Sequence, residues 1–300
     1  MDPKISKSQE ALKMMLNDKI FACVNTKGGV GKSATALQVL VPYLYQTTAQ
    51  IPLVVDIDEN NFNSKVFSDS EIMTAKCVEI KNFDREFGDI AAEVVSKRPI
   101  VLDIGAADIT RNALKVIDTY GPRVRNRMVW LVPISTGQND IRNAMETIEM
   151  INGIAPNQKI IIVLSNAPEN HGEDNQINEI TFSYFFGNPV LDIPSMYKIM
   201  GKTYPYLAVP GHYIVPATQA FKKTIYEVGK NFSAFDESVD KKILELSKRV
   251  KDNPDDEPKI YEESKRITRI AQQYRVAKMF AEYNLSETFS GLTQILLKLL

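Results

Sequence analysis

The residues in this chain best placed to do chemistry are Asn25-Thr-Lys-Gly-Gly-Val-Gly-Lys-Ser33. Gly28, Gly29 and Gly31 let the backbone fold around an anion, so that successive N–H groups point at it. The start of the following helix adds the positive end of its dipole. Lys32 can then reach the β- and γ-phosphates of a nucleotide, and the Ser33 hydroxyl can ligate Mg²⁺. Val30 and Ala34 complete the loop and its entry into the helix. The loop lies between an apolar run, Lys19 to Asn25, and a helical pattern over residues 32–46. A glycine-rich turn arising by chance has no need of that placement.

A phosphate clamp also needs acids to hold Mg²⁺ and to orient water. Two apolar runs supply them, one through Asp56 and Asp58, the other ending in Val101-Leu-Asp103. An acid at the carboxyl end of such a run can hold Mg²⁺ through water, which makes Asp103 the expected metal-side acid. Gly105 would let the next loop approach the terminal phosphate. Asp108 reads as the N-cap of a helix beginning near Ile109.

Thr26 occupies the position where the strict G-x-x-x-x-G-K-S/T pattern has its first glycine, and Lys27 is an added cation. With both features the segment closely resembles the deviant Walker A motif, x-K-G-G-x-G-K-S/T, of the ParA/MinD superfamily of ATPases, nearest its ParA-like partition proteins. The resemblance covers roughly residues 18–232. It implies a P-loop fold, ATP and Mg²⁺ as cofactors, slow hydrolysis stimulated by a protein partner, and a homodimer in the ATP state. By the same resemblance Lys27 acts in trans on the partner's nucleotide, and the loop from Lys27 to Ala34 binds it. Asp58 is expected to position water, with Asp56 supporting the metal side beside Ser33 and Asp103. Asn166 becomes a candidate for the adenine, although an ordinary turn residue fits it equally well. The chain departs from the family's D-x-D-P-Q-G-N at Glu59 and Asn60, and it lacks Pro-Pro-Gly after Asp103.

The elements that must position these groups alternate. Apolar runs end near Asn25, Asp56, Asp103, Pro133 and Leu164, with helical patterns near 32–46, 83–97, 109–119 and 137–152 between them. Continuous apolar strands separated by amphipathic helices predict an α/β fold, a mostly parallel sheet with helices on both faces. From about Asn231 the sequence becomes charged and helical. Val239, Ile243, Leu246 and Val250 form one apolar stripe, Ile267, Ile270, Ala271 and Tyr274 a second. Leu285, Phe289, Leu292, Leu296 and Leu299 then recur at close to heptad spacing. The expected division is an ATPase domain over residues 1–234 and a C-terminal helical appendage over 235–300.

Bulk properties exclude several classes. The net charge of −1 gives no overall basic field, so any DNA contact must come from a local patch. Lys222, Lys223, Lys265, Arg266 and Arg269 are the candidates for non-specific DNA binding, with acids interleaved among them. Cys23 and Cys77, far apart, argue against a disulfide framework or a metal cluster. His171 and His212 have no metal-ligand spacing. The chain has no run of ~20 apolar residues and no signal peptide, so a cytoplasmic protein is expected, in some settings nucleoid-associated. The last ten residues carry a single cation, Lys298, which argues against a membrane-surface helix. DNA partition, membrane positioning and a scaffold or conjugation-associated role remain the competing uses.

Overall fold

The computed structural model describes residues 3–93, 98–154, 157–168, 176–199, 204–211, 221–252 and 257–300. Helix α1 (Pro3–Leu16) leads into β1 (Ile20–Cys23). The helix after the glycine loop opens as a π-helical segment, Ala34–Leu40, and continues as α2 (Val41–Thr48). Then come β2 (Leu53–Asp58), a short 3₁₀ turn at Asn63–Phe67, β3 (Thr74–Glu79) and α3 (Phe83–Glu93). They are followed by β4 (Ile100–Ile104), α4 (Asp108–Thr119), α5 (Pro122–Arg125), β5 (Met128–Ile134), α6 (Gln138–Ile154) and β6 (Lys159–Ala167). Short helices α7 (Gln176–Thr181), α8 (Ser183–Phe186) and α9 (Met196–Ile199) precede β7 (Tyr206–Pro210). The chain ends in α10 (Ile225–Lys230), α11 (Phe232–Asp252), α12 (Glu257–Phe280), a π-helical segment at Ala281–Leu285, and α13 (Ser286–Leu299).

The strands form one seven-stranded sheet in the order β3-β2-β4-β1-β5-β6-β7, and every pairing is parallel. Alternate residues of each strand face opposite sides, and here both sides are covered. Ile20, Ala22, Leu102 and Trp130 pack under α3, α4 and α6. Phe21, Val101, Leu131 and Val163 pack under the P-loop helix and the C-terminal helices. Central strands buried on two faces must be apolar throughout, which is why their sequence pattern is continuous rather than alternating. Cys23 is one of these core residues.

Two strands are additions to the sequence reading. Strand β3, Thr-Ala-Lys-Cys-Val-Glu, sits at the sheet edge with charged residues, and β7 ends in a proline at the other edge. Edge strands need neither two apolar faces nor a complete ladder, so the apolar-run signal is weak there. His171 and His212 lie outside the described residues.

The C-terminal segment packs in two ways. Helices α11 and α12 form an antiparallel hairpin with its own small core of Val239, Leu246 and Ile260. Ion pairs Asp236–Arg275 (3.9 Å) and Arg249–Glu263 (3.7 Å) span it at the surface. The end of α12 and one face of α13 instead join the main core. Leu292 and Leu296 are fully buried there, and the Phe289 ring packs edge-on against Tyr43 at 5.6 Å. The near-heptad stripe therefore covers the P-loop side of the sheet, with Leu285, Phe289, Leu292 and Leu296 buried against it.

Candidate nucleotide-binding site

In a doubly wound sheet ligands bind beyond the carboxyl ends of the strands, where the strand order reverses. Strand β1 is such a point, flanked by β4 and β5, and the glycine loop leaves from its carboxyl end. Gly29 (φ 79°) and Gly31 (φ 93°) take the left-handed conformations that only glycine adopts without strain. Close approach adds a second reason at Gly31, where a Cβ would lie 2.7 Å from Ser165 Oγ.

Thr26 replaces the first glycine of the strict pattern, keeping its N–H and adding a hydroxyl. Its N–H donates to Thr147 Oγ1 (3.1 Å) and its hydroxyl to the Asn143 carbonyl (3.3 Å), tying the loop to α6. Its own carbonyl accepts the Ala107 N–H at 2.7 Å, so the loop after Asp103 is tied to the glycine loop as well. Sequence reasoning missed Thr147 and Asn143, whose part depends on a helix more than a hundred residues away.

Lys32 is buried, and its ammonium donates to the Lys27 carbonyl at 2.9 Å across the loop. Burial lowers its pKa, while Asp103 and Asp58 pull it back up. Lys27 is exposed at the rim.

The carboxylates converge because β2 and β4 are in register, Asp56 opposite Asp103. Both share the parity of Val54 and Val101, so they face the P-loop helix. Asp103 is 3% exposed and hydrogen-bonds with the Ser33 side chain, yet its Oδ2 is buried without a partner. Burial pushes its pKa up to about 7, with the nearby Asp56 adding repulsion. Asp56 is likewise raised by burial, partly offset by the Ser64 N–H donating to Oδ2 at 2.8 Å. That bond anchors the 3₁₀ turn after β2.

Asp58 closes β2 and caps the next turn. Its Oδ1 accepts from the backbone N–H groups of Glu59 (2.7 Å), Asn60 (3.2 Å) and Asn61 (3.1 Å). Its Oδ2 faces Gly105, where an added Cβ would lie only 2.7 Å away. Asn63, also missed in the sequence, donates to Ser33 Oγ at 2.9 Å and so lays the β2 loop over that hydroxyl.

Asp108 does not cap its helix. The N-cap is Ala107 (φ 53°, ψ −121°), and Asp108, the first helical residue, pairs with Arg111 at 3.2 Å.

These groups line a polar cavity of about 410 Å³, bounded by Gly31, Lys32, Ser33, Asp58, Asn63 and Asp103. A second cavity of about 210 Å³ adjoins it at Gly31 and Ala34 and is largely apolar, with Val39, Val209, Pro210, Phe280 and Leu285 on its walls. Asn166, in left-handed conformation (φ 55°), borders this second cavity.

The DNA candidates fall in two places. Lys222 is exposed, and Lys223 pairs with Glu71 at 2.8 Å. On α12, Lys265 lies 3.7 Å from Glu262, and Arg266 and Arg269 are exposed. The Phe221 ring against Tyr274 (4.7 Å) joins the two places at the base of the hairpin.

No protein-family model and no curated protein matches this chain. Among solved structures, it is similar to a protein described as a plasmid partition protein, from Borrelia burgdorferi B31 and bound to AMPPNP. That likeness has 12% identity and a TM-score of 0.41, over 67% of this chain and 88% of that one. Two further structures of a plasmid partition protein from Borrelia burgdorferi are similar at 12% and 13% identity, both with TM-score 0.38. They cover 64% and 63% of this chain and 90% and 88% of theirs. Likenesses this remote leave the case for function with the residues of the site.

Proposed function

We propose that this chain is a ParA-like ATPase that dimerises with ATP and Mg²⁺ bound, is reset by hydrolysis, and serves DNA partition or cargo positioning in the cytoplasm. One observation carries the nucleotide reading: a polar cavity behind the glycine loop and a smaller apolar cavity meet at Gly31 and Ala34. That pairing suits a ligand with a polyanionic end and a flat apolar end.

Within the first cavity the loop N–H groups and Lys32 hold the phosphates. The donor set fits a hard divalent cation, because the partnerless Asp103 Oδ2 lies beside the Ser33 hydroxyl. Bound Mg²⁺ would supply charge neutralisation on the phosphate oxygens. Asp58, with one oxygen pinned by backbone donors, keeps the other free to orient a water. Lys27, exposed at the rim, is available to a second copy rather than to its own nucleotide.

DNA is one cargo surface, through Lys222, Lys223, Lys265, Arg266 and Arg269. The ion pairs of Lys223 and Lys265 favour a second reading, a nucleotide-switched scaffold that recognises a protein partner. A MinD-like membrane tail fits poorly, since the apolar stripe of α13 is buried in the core. No helix among the described residues is long and apolar enough to cross a membrane.

Sedimentation with and without ATP–Mg²⁺ tests the reading. Wild type should dimerise with ATP, Lys32→Ala should lose nucleotide binding, and Lys27→Ala should bind nucleotide as a monomer without dimerising. Unchanged nucleotide affinity in Lys32→Ala would refute the site, and a full ATP dimer in Lys27→Ala would refute the trans role. ATP-dependent, steeply salt-sensitive binding to unrelated duplex DNA would select partition over the scaffold reading.

A further inference from the structure

The apolar cavity is bounded by two π-helical segments. Ala34, Thr35, Gln38 and Val39 come from the segment that opens the P-loop helix, and Leu285 from the one between α12 and α13, with Phe280 as its N-cap. π-Helical turns are rare and gather at functional sites. Relative to an α-helix they hold an inserted residue, so moving or losing one turns the helix beyond it by about 100°.

A continuous line of buried contacts joins the two segments. Gln38 Oε1 accepts the Ile225 N–H at 2.8 Å, fixing the start of α10 to the P-loop helix. Four residues on, the α10 backbone presses on the second π-helical segment: a Cβ added at Gly229 would lie 2.8 Å from the Ala281 Cβ. The start of α10 is itself immobilised by Glu227, whose buried carboxylate accepts from Thr224, Ser70 and the Glu71 N–H. The Ala281–Leu285 segment, at the root of the α11–α12 hairpin, is the π-helical turn that α10 presses on.

The cavity also holds a feature that points to a ligand. Ser165 Oγ is buried on its wall with no hydrogen-bond partner, beneath Gly31. At about 210 Å³ it lies below the ~300 Å³ that takes a whole drug-sized ligand, so it suits one flat heterocycle with a polar edge.

We propose that the C-terminal hairpin senses the base of the bound nucleotide: the ring, seated between the two π-helical segments, sets the register of Ala281–Leu285 and with it the angle at which α11 and α12 are presented to a partner. This rests on the nucleotide reading above and adds an output to it. The phosphates, held in the other cavity, do not touch the hairpin root.

Amide hydrogen exchange on the full chain tests this with three samples: no ligand, inorganic triphosphate with Mg²⁺, and ATP with Mg²⁺. Both ligands should protect residues 28–34, because both fill the phosphate cavity. Only ATP should slow exchange across residues 277–289, on the order of tenfold. Leu285→Ala, which removes part of the wall, should lose the protection at 277–289 and keep it at 28–34. Equal behaviour of 277–289 with triphosphate and ATP would overturn the base-sensing proposal while leaving the nucleotide site intact. Absence of protection at 28–34 with either ligand would refute the nucleotide site, and the proposal would fall with it.

Discussion

Replacing Ala107 by glycine should make the protein more stable, against the usual effect of glycine. Ala107 has φ 53° and ψ −121°, the first corner of a type II′ turn, where a Cβ is sterically disfavoured. Residues held in such regions cost about 1–3 kcal/mol. Glycine removes that strain but adds unfolded-chain entropy worth about 0.4–1 kcal/mol. The Ala107 side chain is exposed, so no core packing is lost, and the N–H bond to the Thr26 carbonyl at 2.7 Å is kept. The net expectation is a gain of roughly 0.5–2 kcal/mol, a few degrees in Tm for a chain of this size. Urea denaturation checks it, with the midpoint rising at unchanged m. A lower midpoint at the same m would refute the reasoning, because the strain would then not reside at Ala107.

Leu292→Ala should destabilise the fold by about 2–5 kcal/mol, since that side chain is fully buried against the P-loop side of the sheet; a change under 0.5 kcal/mol in denaturant would mean that α13 is peripheral. Gly105→Ala should keep ATP affinity within a few-fold and lower turnover at least tenfold, because its Cβ would lie 2.7 Å from Asp58 Oδ2 and must displace it. Steady-state ATPase assays beside equilibrium binding separate the two effects. Asp58→Ala should slow hydrolysis on the order of 10²-fold and prolong the ATP dimer, read by turnover and sedimentation together; wild-type turnover would remove Asp58 from the mechanism.

The candidate site was legible where its residues are neighbours in the chain. Gly28 to Ser33 form one loop between one strand and one helix, and Asp56, Asp58 and Asp103 lie on strands whose apolar cores announce them. What stayed hidden depends on pairing at a distance. Thr147 and Asn143 serve the loop through the packing of α6, and Asn63 reaches Ser33 only because the turn after β2 folds back. The fold follows the same rule. Strands buried on both faces stood out as continuous apolar runs, while β3 and β7, at the two edges, did not. The stripe from Leu285 to Leu299 was plain as a stripe, but periodicity names a face and not the surface that covers it. The structure places the main core there.

The departures from the family pattern have a common physical reading. A proline at position 59 would have no N–H to give, and Glu59 supplies the shortest of the three donors that hold Asp58 Oδ1. Asn60 and Asn61 supply the other two through backbone N–H groups that any residue but proline has, so the donor gained by departing from the pattern is the one at position 59. At position 26 the replacement of glycine adds a hydroxyl and keeps an N–H, both of which are used on α6. After Asp103 the missing Pro-Pro-Gly is answered by Gly105 packed on Asp58 and by a strained Ala107 bonded to Thr26. Loss of a binding function would leave such positions free to drift without partners. Here Glu59 and Thr26 make contacts that hold a loop at the polar cavity, as the proposed switch, whose loops are set by what that cavity contains, would require.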